Sequence, residues 1–227
     1  MSVVELINFQ MIKQKSITVN VVNLRHRTDR QKHIIKQFSD KPEFLINIVP
    51  AIVHEKGSYG LWQTILQIVY EEKKRGSDFF ILCEDDHTFT ENYSDELLIN
   101  SILQAKSLNA DMLSGGYSWF RCAVQISKNI FWVDKFTGMQ FTVIFNKFYQ
   151  PILDANFGEE VIADLSLSDI TDYKFVIYPY ISIQREFGYS DVTLKNAEKG
   201  YVNRIFNTSI ERLNILNKVR NFYSLNL

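Results

Sequence analysis

Three consecutive acids, Glu84, Asp85 and Asp86, are the residues of this chain whose types and spacing most clearly suggest chemistry. They follow an apolar run, residues 79–83, whose composition predicts a strand buried on both faces. Residues two apart in an extended chain point the same way, so Glu84 and Asp86 should share a side, about 6.6 Å apart. Two such carboxylates suit a hard ion, Mg²⁺ or Mn²⁺, that keeps further positions for phosphate oxygens. An acidic turn after a strand is the alternative interpretation.

A group of arginines follows the first predicted strand, residues 17–24; they are Arg25, Arg27 and Arg30. Thr28 and Gln31 have the spacing of a capping box, which predicts that a helix begins here. Basic side chains are unfavourable at a helix N-terminus, where the macrodipole is already positive, and a broken local rule marks a candidate site. Helix N-termini and arginine forks both bind phosphate, so we expect an anion site, with a solvated basic loop as the alternative.

The surrounding elements alternate between strand and helix. Beyond the first strand and helix we expect strands at 44–49, 79–83 and 111–114 and helices at 58–75 and 94–108, with Ser94 as a cap. This order predicts an α/β fold with a mostly parallel central sheet flanked by helices. Residues 117–146 are β-rich; helices are expected at 148–157 and 161–167, a strand at 174–178, and an amphipathic helix at 202–223 that packs on its own domain.

Composition limits the classes of function. With 227 residues and no Gly/Ser-rich linker, the chain is predicted to form one domain. A net charge of −1 argues against nucleic-acid binding, which needs a basic excess. Aromatic residues make up 14% of the chain, so we expect some rings to serve as binding platforms.

The location of the protein is predicted from the same sequence. Two cysteines, Cys83 and Cys122, are too few for a disulfide framework, which favours a reducing compartment. The first residues lack the pattern of a signal peptide, and no run approaches about 18 apolar residues. We therefore expect a cytoplasmic protein without a transmembrane segment, and leave a peripheral association with membranes open.

Four segments, in this order, resemble glycosyltransferase family 25, the lipooligosaccharide and collagen-type sugar transferases of GT-A fold. They are VNLRHRTDR at 22–30, ILCEDDHTF at 81–89, GMQFTVI at 138–144, and PYISIQ at 179–184 followed by SDV at 190–192. One segment departs from the family: where the family has a Ser-His pair before its long helix, this chain reads GSYGLW at 57–62. The resemblance implies a single GT-A domain, with a nucleotide-binding half at 17–116, an acceptor half at 117–192 and a last helix at 202–227.

The resemblance also implies an activity: metal-dependent transfer of a sugar, such as a hexose, from a nucleotide-diphosphate donor. The acceptor would be a saccharide or glycolipid of a surface glycan such as lipopolysaccharide or capsule, and transfer would be inverting. Glu84 and Asp86 would bind a Mn²⁺ or Mg²⁺ ion. The nucleotide would be bound by Asn23, Arg25, Arg27, Arg30 and Asp85, and the acceptor by Gln140, Gln184 and Asp191.

For the general base we expect Asp164, which lies where the family has an acid downstream of its GtqaYvis-like strand; an ordinary acid at the start of a helix is the alternative. Asp169 is the second candidate, and Glu159 and Glu160 also compete. His87 is expected to be a structural or a surface side chain, with a metal ligand as the alternative. Two other functions stay open: a metal-dependent nucleotidyltransferase or phosphoesterase with the same acids, and an inactive binder of nucleotide or glycan.

Overall fold

A mixed eight-stranded sheet forms the centre of the computed structural model, which describes residues 9, 10, 12, 16–189, 196 and 198–224. The strands are β1 Ile17–Asn23, β2 Phe44–Pro50, β3 Phe79–Glu84, β4 His87–Phe89, β5 Met112–Ser114, β6 Trp119–Phe120, β7 Ala123–Gln125, β8 Ile130–Val133, β9 Phe136–Thr137, β10 Phe141–Phe145, β11 Lys174–Ile177 and β12 Ser182–Gln184. The helices are α1 Thr28–Phe38, α2 Gly57–Arg75, α3 Asp95–Ser107, α4 Tyr149–Asp154, α5 Ala163–Asp169 and α6 Tyr201–Ser224, with a 3₁₀ turn at Asn146–Phe148.

The order of strands in the sheet is β2-β1-β3-β10-β5-β11-β8-β7. β1 lies parallel to both β2 and β3, and β5 lies parallel to β11. The other four neighbouring pairs are antiparallel. The central sheet is therefore mixed, and the prediction that it is mostly parallel is wrong. The reason is that β8 and β10 enter the sheet in the opposite direction, and β10 lies between two strands of the predicted parallel set.

β3 is buried on both faces, as its sequence predicts. Phe80 and Leu82 pack into one core cluster, whereas Ile81 and Cys83 pack into a second one. α2 supplies Trp62, Ile65 and Val69 to the first cluster; α1 and α3 supply Ile34, Phe38, Leu98 and Ile102 to the second. The two clusters therefore sandwich the sheet between helical layers, and β3 delivers the acids to its edge.

Helix starts and ends largely follow the sequence signals. Ser94 caps α3, because its Oγ accepts a hydrogen bond from the Leu97 N–H at 3.1 Å. The capping box predicted for α1 is wrong: Arg27 occupies the N-cap position and its side chain makes no capping bond, since Thr28 already lies inside the helix. Within the described residues, no helix is both long and apolar enough to cross a membrane.

α2 is fixed against the loop that follows β2. The Thr64 hydroxyl accepts a hydrogen bond from the Ile52 N–H at 2.9 Å and donates one to the Gly60 carbonyl at 2.7 Å. A Cβ atom on Gly60 would lie 2.3 Å from the Ile52 carbonyl oxygen, which belongs to the backbone and cannot rotate away. Glycine at position 60 thus lets the loop pack directly on the helix.

We predict that Gly60→Ala destabilises the protein by about 1–3 kcal/mol, through overpacking against the loop after β2. Alanine normally stabilises a helix interior relative to glycine by about 1 kcal/mol, so the sign of the effect is the test. Gly158→Ala is the matched control, because a Cβ there meets no atom within 4 Å. Urea unfolding of both variants measures the difference, and equal stabilities would contradict the packing described.

Candidate functional site

A cavity of about 590 Å³ opens at the carboxyl ends of β1, β2 and β3. Val22 and Leu24 line it from β1, residues 51–55 from the end of β2, and the three acids from the end of β3. The opposite wall comes from residues 137–139, residues 162–164, Gln184 and α6. Parallel strand ends are where ligands bind in open α/β sheets, and the cavity has the size of a small-molecule site.

Asp85 is buried and held by two partners from the first strand and helix. Its Oδ2 accepts a hydrogen bond from Asn23 Nδ2 at 2.7 Å, and its Oδ1 lies 3.0 Å from Arg30 Nη1. The same Arg30 nitrogen is 3.4 Å from Oδ2 of Asp86. Burial alone would lower the pKa of Arg30, but the two carboxylates outweigh it and raise that pKa further. Arg30 is therefore a fixed cation that neutralises the acids.

Aromatic rings hold this arginine in place. The guanidinium of Arg30 lies 4.8 Å from the ring centroids of both Phe187 and Tyr189. Its Nη2 donates to the Tyr189 carbonyl at 3.0 Å, and its Nε donates to the Tyr189 hydroxyl at 3.3 Å. The guanidinium of Arg27 also stacks on Tyr189, 3.8 Å from the ring centroid. Phe187 and Tyr189 therefore contact the protein's own arginines, and the prediction that rings serve as binding platforms stays a prediction.

The carboxylates of Glu84 and Asp86 have fewer partners to balance their negative charge than the carboxylate of Asp85. Burial, together with the charge of Asp85, raises the pKa of Asp86 to about 7 despite Arg30. Burial and the neighbouring Asp86 and Asp164 raise the pKa of Glu84 well above its ordinary value. Oδ1 of Asp86 is buried without a hydrogen-bond partner among the described residues. Carboxylates crowded in this way favour a proton or a cation beside them.

The chemistry of these donors fits a hard divalent ion. Mg²⁺ is commonly held by one or two carboxylates and completes its shell with waters and substrate phosphates. Glu84 and Asp86 could supply those carboxylates, the latter through its unpartnered Oδ1. Within the described part of the chain there is no ready group of three His, Cys, Asp or Glu residues for a metal. An ion here would depend on substrate oxygens for its remaining ligands.

Asp164 lies at the start of α5 and lines the same cavity. Its Oδ2 accepts a hydrogen bond from the Gly138 N–H at 2.8 Å, and its Oδ1 accepts one from the Leu165 N–H at 2.9 Å. Burial raises the pKa of Asp164, although both backbone bonds oppose the shift. The structure thus brings Asp164 into the cavity that Glu84 and Asp86 line from the opposite wall.

Other expected catalytic acids lie elsewhere. Asp169 sits outside the cavity, half exposed, with its Oδ1 2.9 Å from Lys135 Nζ. Glu159 and Glu160 are exposed and form ion pairs with Lys56. His87 is buried, stacks on Phe141 and has Nδ1 2.7 Å from Ser182 Oγ, a structural environment.

Of the residues expected to bind the nucleotide or the acceptor, some line the cavity and others do not. Gln184 lines the cavity, but Gln140 is fully buried and its Nε2 donates to the Gly116 carbonyl at 2.8 Å, so it cannot reach an acceptor here. Arg25 is exposed, and neither it nor Arg27 lines the cavity. Asn23 contacts Asp85 rather than the cavity. Asp191 lies outside the described residues.

Several cavity residues are absent from the sequence-based set. His54 and Glu55 come from the loop after β2, and Gly57 and Ser58 from the start of α2. The strand-end rule that selects the acids would also select this loop, because β2 runs parallel to β1. Tyr201 and Ile205 come from α6, and no local pattern predicts that α6 reaches this edge.

Comparison with known proteins supports the fold. No family model and no curated protein matches the sequence. The crystal structure of A197 from STIV is similar, with a TM-score of 0.51 and 14% identity over 74% of this chain and 85% of that chain. UDP-glucose pyrophosphorylase complexed with UDP-glucose gives a TM-score of 0.49 and 10% identity, over 93% and 89%. UDP-glucose pyrophosphorylase from Acinetobacter baumanii gives 0.48 and 10%, over 98% and 87%. At these identities, the similarity to A197 is one of α/β fold.

The raised pKa of Asp86 predicts how stability depends on pH. A carboxyl whose pKa rises from 3.8 to about 7 on folding contributes stability that is intact below pH 4 and is lost as pH rises through 7. With chelator present, we expect the free energy of unfolding of Asp86→Asn, relative to that of the parent protein, to increase by roughly 2–4 kcal/mol as the pH rises from 4 to 8. Denaturant titrations at several pH values measure this difference.

Glu91→Gln is the control for this comparison. Glu91 is exposed, so its neutralisation should leave the pH dependence of stability unchanged. A constant difference between Asp86→Asn and the parent across this pH range would contradict the crowding of acids described above.

Proposed function

We propose that this chain is a metal-dependent glycosyltransferase that transfers a sugar from a nucleotide-diphosphate donor to a saccharide or glycolipid acceptor of a surface glycan. The observation that carries the proposal is one cavity that brings together Glu84 and Asp86, from the end of β3, and Asp164, from the first turn of α5. The family resemblance of the sequence motifs points to the same chemistry.

Glu84 and Asp86 would hold the divalent ion, which when bound neutralises charge on the diphosphate as a Lewis acid. The start of α2 is suited to the anionic donor, because Gly57 and Ser58 line the cavity and the first turn carries no acid. Free N–H groups and the helix dipole at such a start favour phosphate oxygens. Arg30 pairs with Asp85 and Asp86 and holds them in place, so it acts on the donor through the acids.

Asp164 would act as the general base of an inverting transfer. Its carboxylate is oriented by two backbone N–H groups and lines the cavity near Glu84. It would take the proton of the acceptor hydroxyl as that oxygen attacks the anomeric carbon and the nucleoside diphosphate departs. A pKa raised by burial makes this carboxylate a better proton acceptor than an ordinary aspartate.

The reaction is tested with a panel of nucleotide sugars and Mn²⁺ or Mg²⁺, with products resolved by mass spectrometry. Glycosyl transfer or slow donor hydrolysis yields a nucleoside diphosphate and a free or transferred sugar. A nucleotidyltransferase would instead yield a nucleoside triphosphate from pyrophosphate and the donor. Binding of nucleoside diphosphate without any turnover would support an inactive binder and contradict the proposal.

We predict that Asp164→Asn lowers the rate of transfer by about 10²–10⁴-fold, the usual contribution of a general base. The affinity for nucleoside diphosphate with metal should change little, because the proposed ion ligands are Glu84 and Asp86 and Asp164 contacts neither the ion nor the diphosphate in this scheme. Rates and diphosphate affinity are measured separately, by product formation and calorimetry.

Asp169→Asn is the matched control on the same helix. Asp169 pairs with Lys135 outside the cavity, so its neutralisation should leave the rate within about twofold of the parent rate. If Asp169→Asn lost activity while Asp164→Asn kept it, the assignment of the base would be wrong.

A further inference from the structure

The last helix, α6, packs on the domain along one side and carries apolar residues on another. Its buried side chains are Val202, Phe206, Ser209 and Leu213. Beyond them, four large apolar residues are exposed: Ile215 at 60%, Val219 at 48%, Phe222 at 64% and Tyr223 at 62%. Packing on its own domain, as the sequence predicts, therefore involves one side of α6 and leaves these four side chains exposed.

The exposed residues form a separate face. At about 100° per residue, the buried and exposed sets lie on stripes whose centres are roughly 125° apart around the helix. Asn214 and Asn217 bind the domain, through the Tyr178 hydroxyl at 2.9 Å and Gln125 Nε2 at 2.9 Å. These bonds fix the rotation of α6 about its own axis, so Ile215 and Val219 point away from the domain.

Basic residues flank this face. Lys218 is exposed and lies about 40° beyond one edge of the stripe, and Arg220 is partly buried and lies about 60° beyond the other edge, toward the buried stripe. No acid occurs between Arg212 and Ser224. The nearest acid on that side is Glu211, one turn before Ile215. An apolar stripe with aromatic residues, bordered by cations, is the pattern of a helix that lies in the surface of a membrane.

We propose that the second half of α6, residues 215–223, docks this protein on the surface of a bilayer that contains anionic lipid. The apolar stripe would insert at the boundary between headgroups and acyl chains, with Lys218 and Arg220 at the level of the lipid phosphates. Because α6 also supplies Tyr201 and Ile205 to the cavity, docking would hold the cavity at a defined distance from the membrane.

A second copy of the chain fits this face less well. Four side chains of about 100 Å² each give roughly half of the 800 Å² that a partner buries in a standard interface. A two-fold interface would also bring Lys218 and Arg220 of one copy close to those of the other, which is unfavourable.

The test is flotation of the full chain with vesicles of phosphatidylcholine, with and without phosphatidylglycerol. We expect binding to the anionic vesicles that weakens at high salt, and at least about tenfold weaker binding for Val219→Ser/Tyr223→Ser. The double variant Lys218→Gln/Arg220→Gln should bind anionic vesicles more weakly, with an affinity about fivefold lower for each charge removed.

Ile35→Ser/Leu45→Ser is the matched control, since both residues are exposed and β2 lies at the edge of the sheet opposite to β7. This control should bind vesicles like the parent. Equal binding by the parent and Val219→Ser/Tyr223→Ser would overturn the proposal. So would a dimer in light scattering that this variant converts to monomer. Neither readout uses activity, so either outcome leaves the proposed reaction untouched.

Discussion

The need to compensate three adjacent acids at the end of a doubly buried strand governs the structure around them. Asp85 receives a full set of partners from Asn23 and Arg30. One arginine cannot satisfy all three carboxylates, so Glu84 and Asp86 keep raised pKa values beside the cavity. Removing a partner from a buried charge is costly, so β1 and α1 must stay in register with β3. This incomplete compensation leaves carboxylates at this edge of the sheet that a proton or a cation would stabilise.

The position of Arg30 depends on a part of the chain distant in sequence. Phe187 and Tyr189 surround its guanidinium from the segment after β12. The ribbon of β4 and β12 joins this segment to the acids, and the Arg185 N–H donates to the Asp86 carbonyl at 2.8 Å. The loop that carries the acids is therefore held from both halves of the chain, which links the electrostatics of the site to the completed fold.

The cavity, like the loop that carries the acids, is built from both halves of the chain. Strand ends of the first half supply the acids and the loop after β2, and the second half supplies Asp164 and the residues of α6. One wall thus presents carboxylates and the start of α2, and the other presents a candidate base. α6 takes part in both the cavity and the exposed apolar face, so a single rigid element connects the site to the surface by which we propose the protein docks.

Composition and periodicity are local properties, so they were enough to predict the buried strand before the acids, the long α2 helix, the cap of α3 and the α/β class. Which candidate residues meet depends on how distant elements pack. Asp164 and Asp169 are five residues apart, about 140° around α5, and only packing fixes which side faces the cavity. Likewise, β10 lies antiparallel between β3 and β5 and buries Gln140 beside it, because strand order depends on long-range pairing that local sequence does not encode.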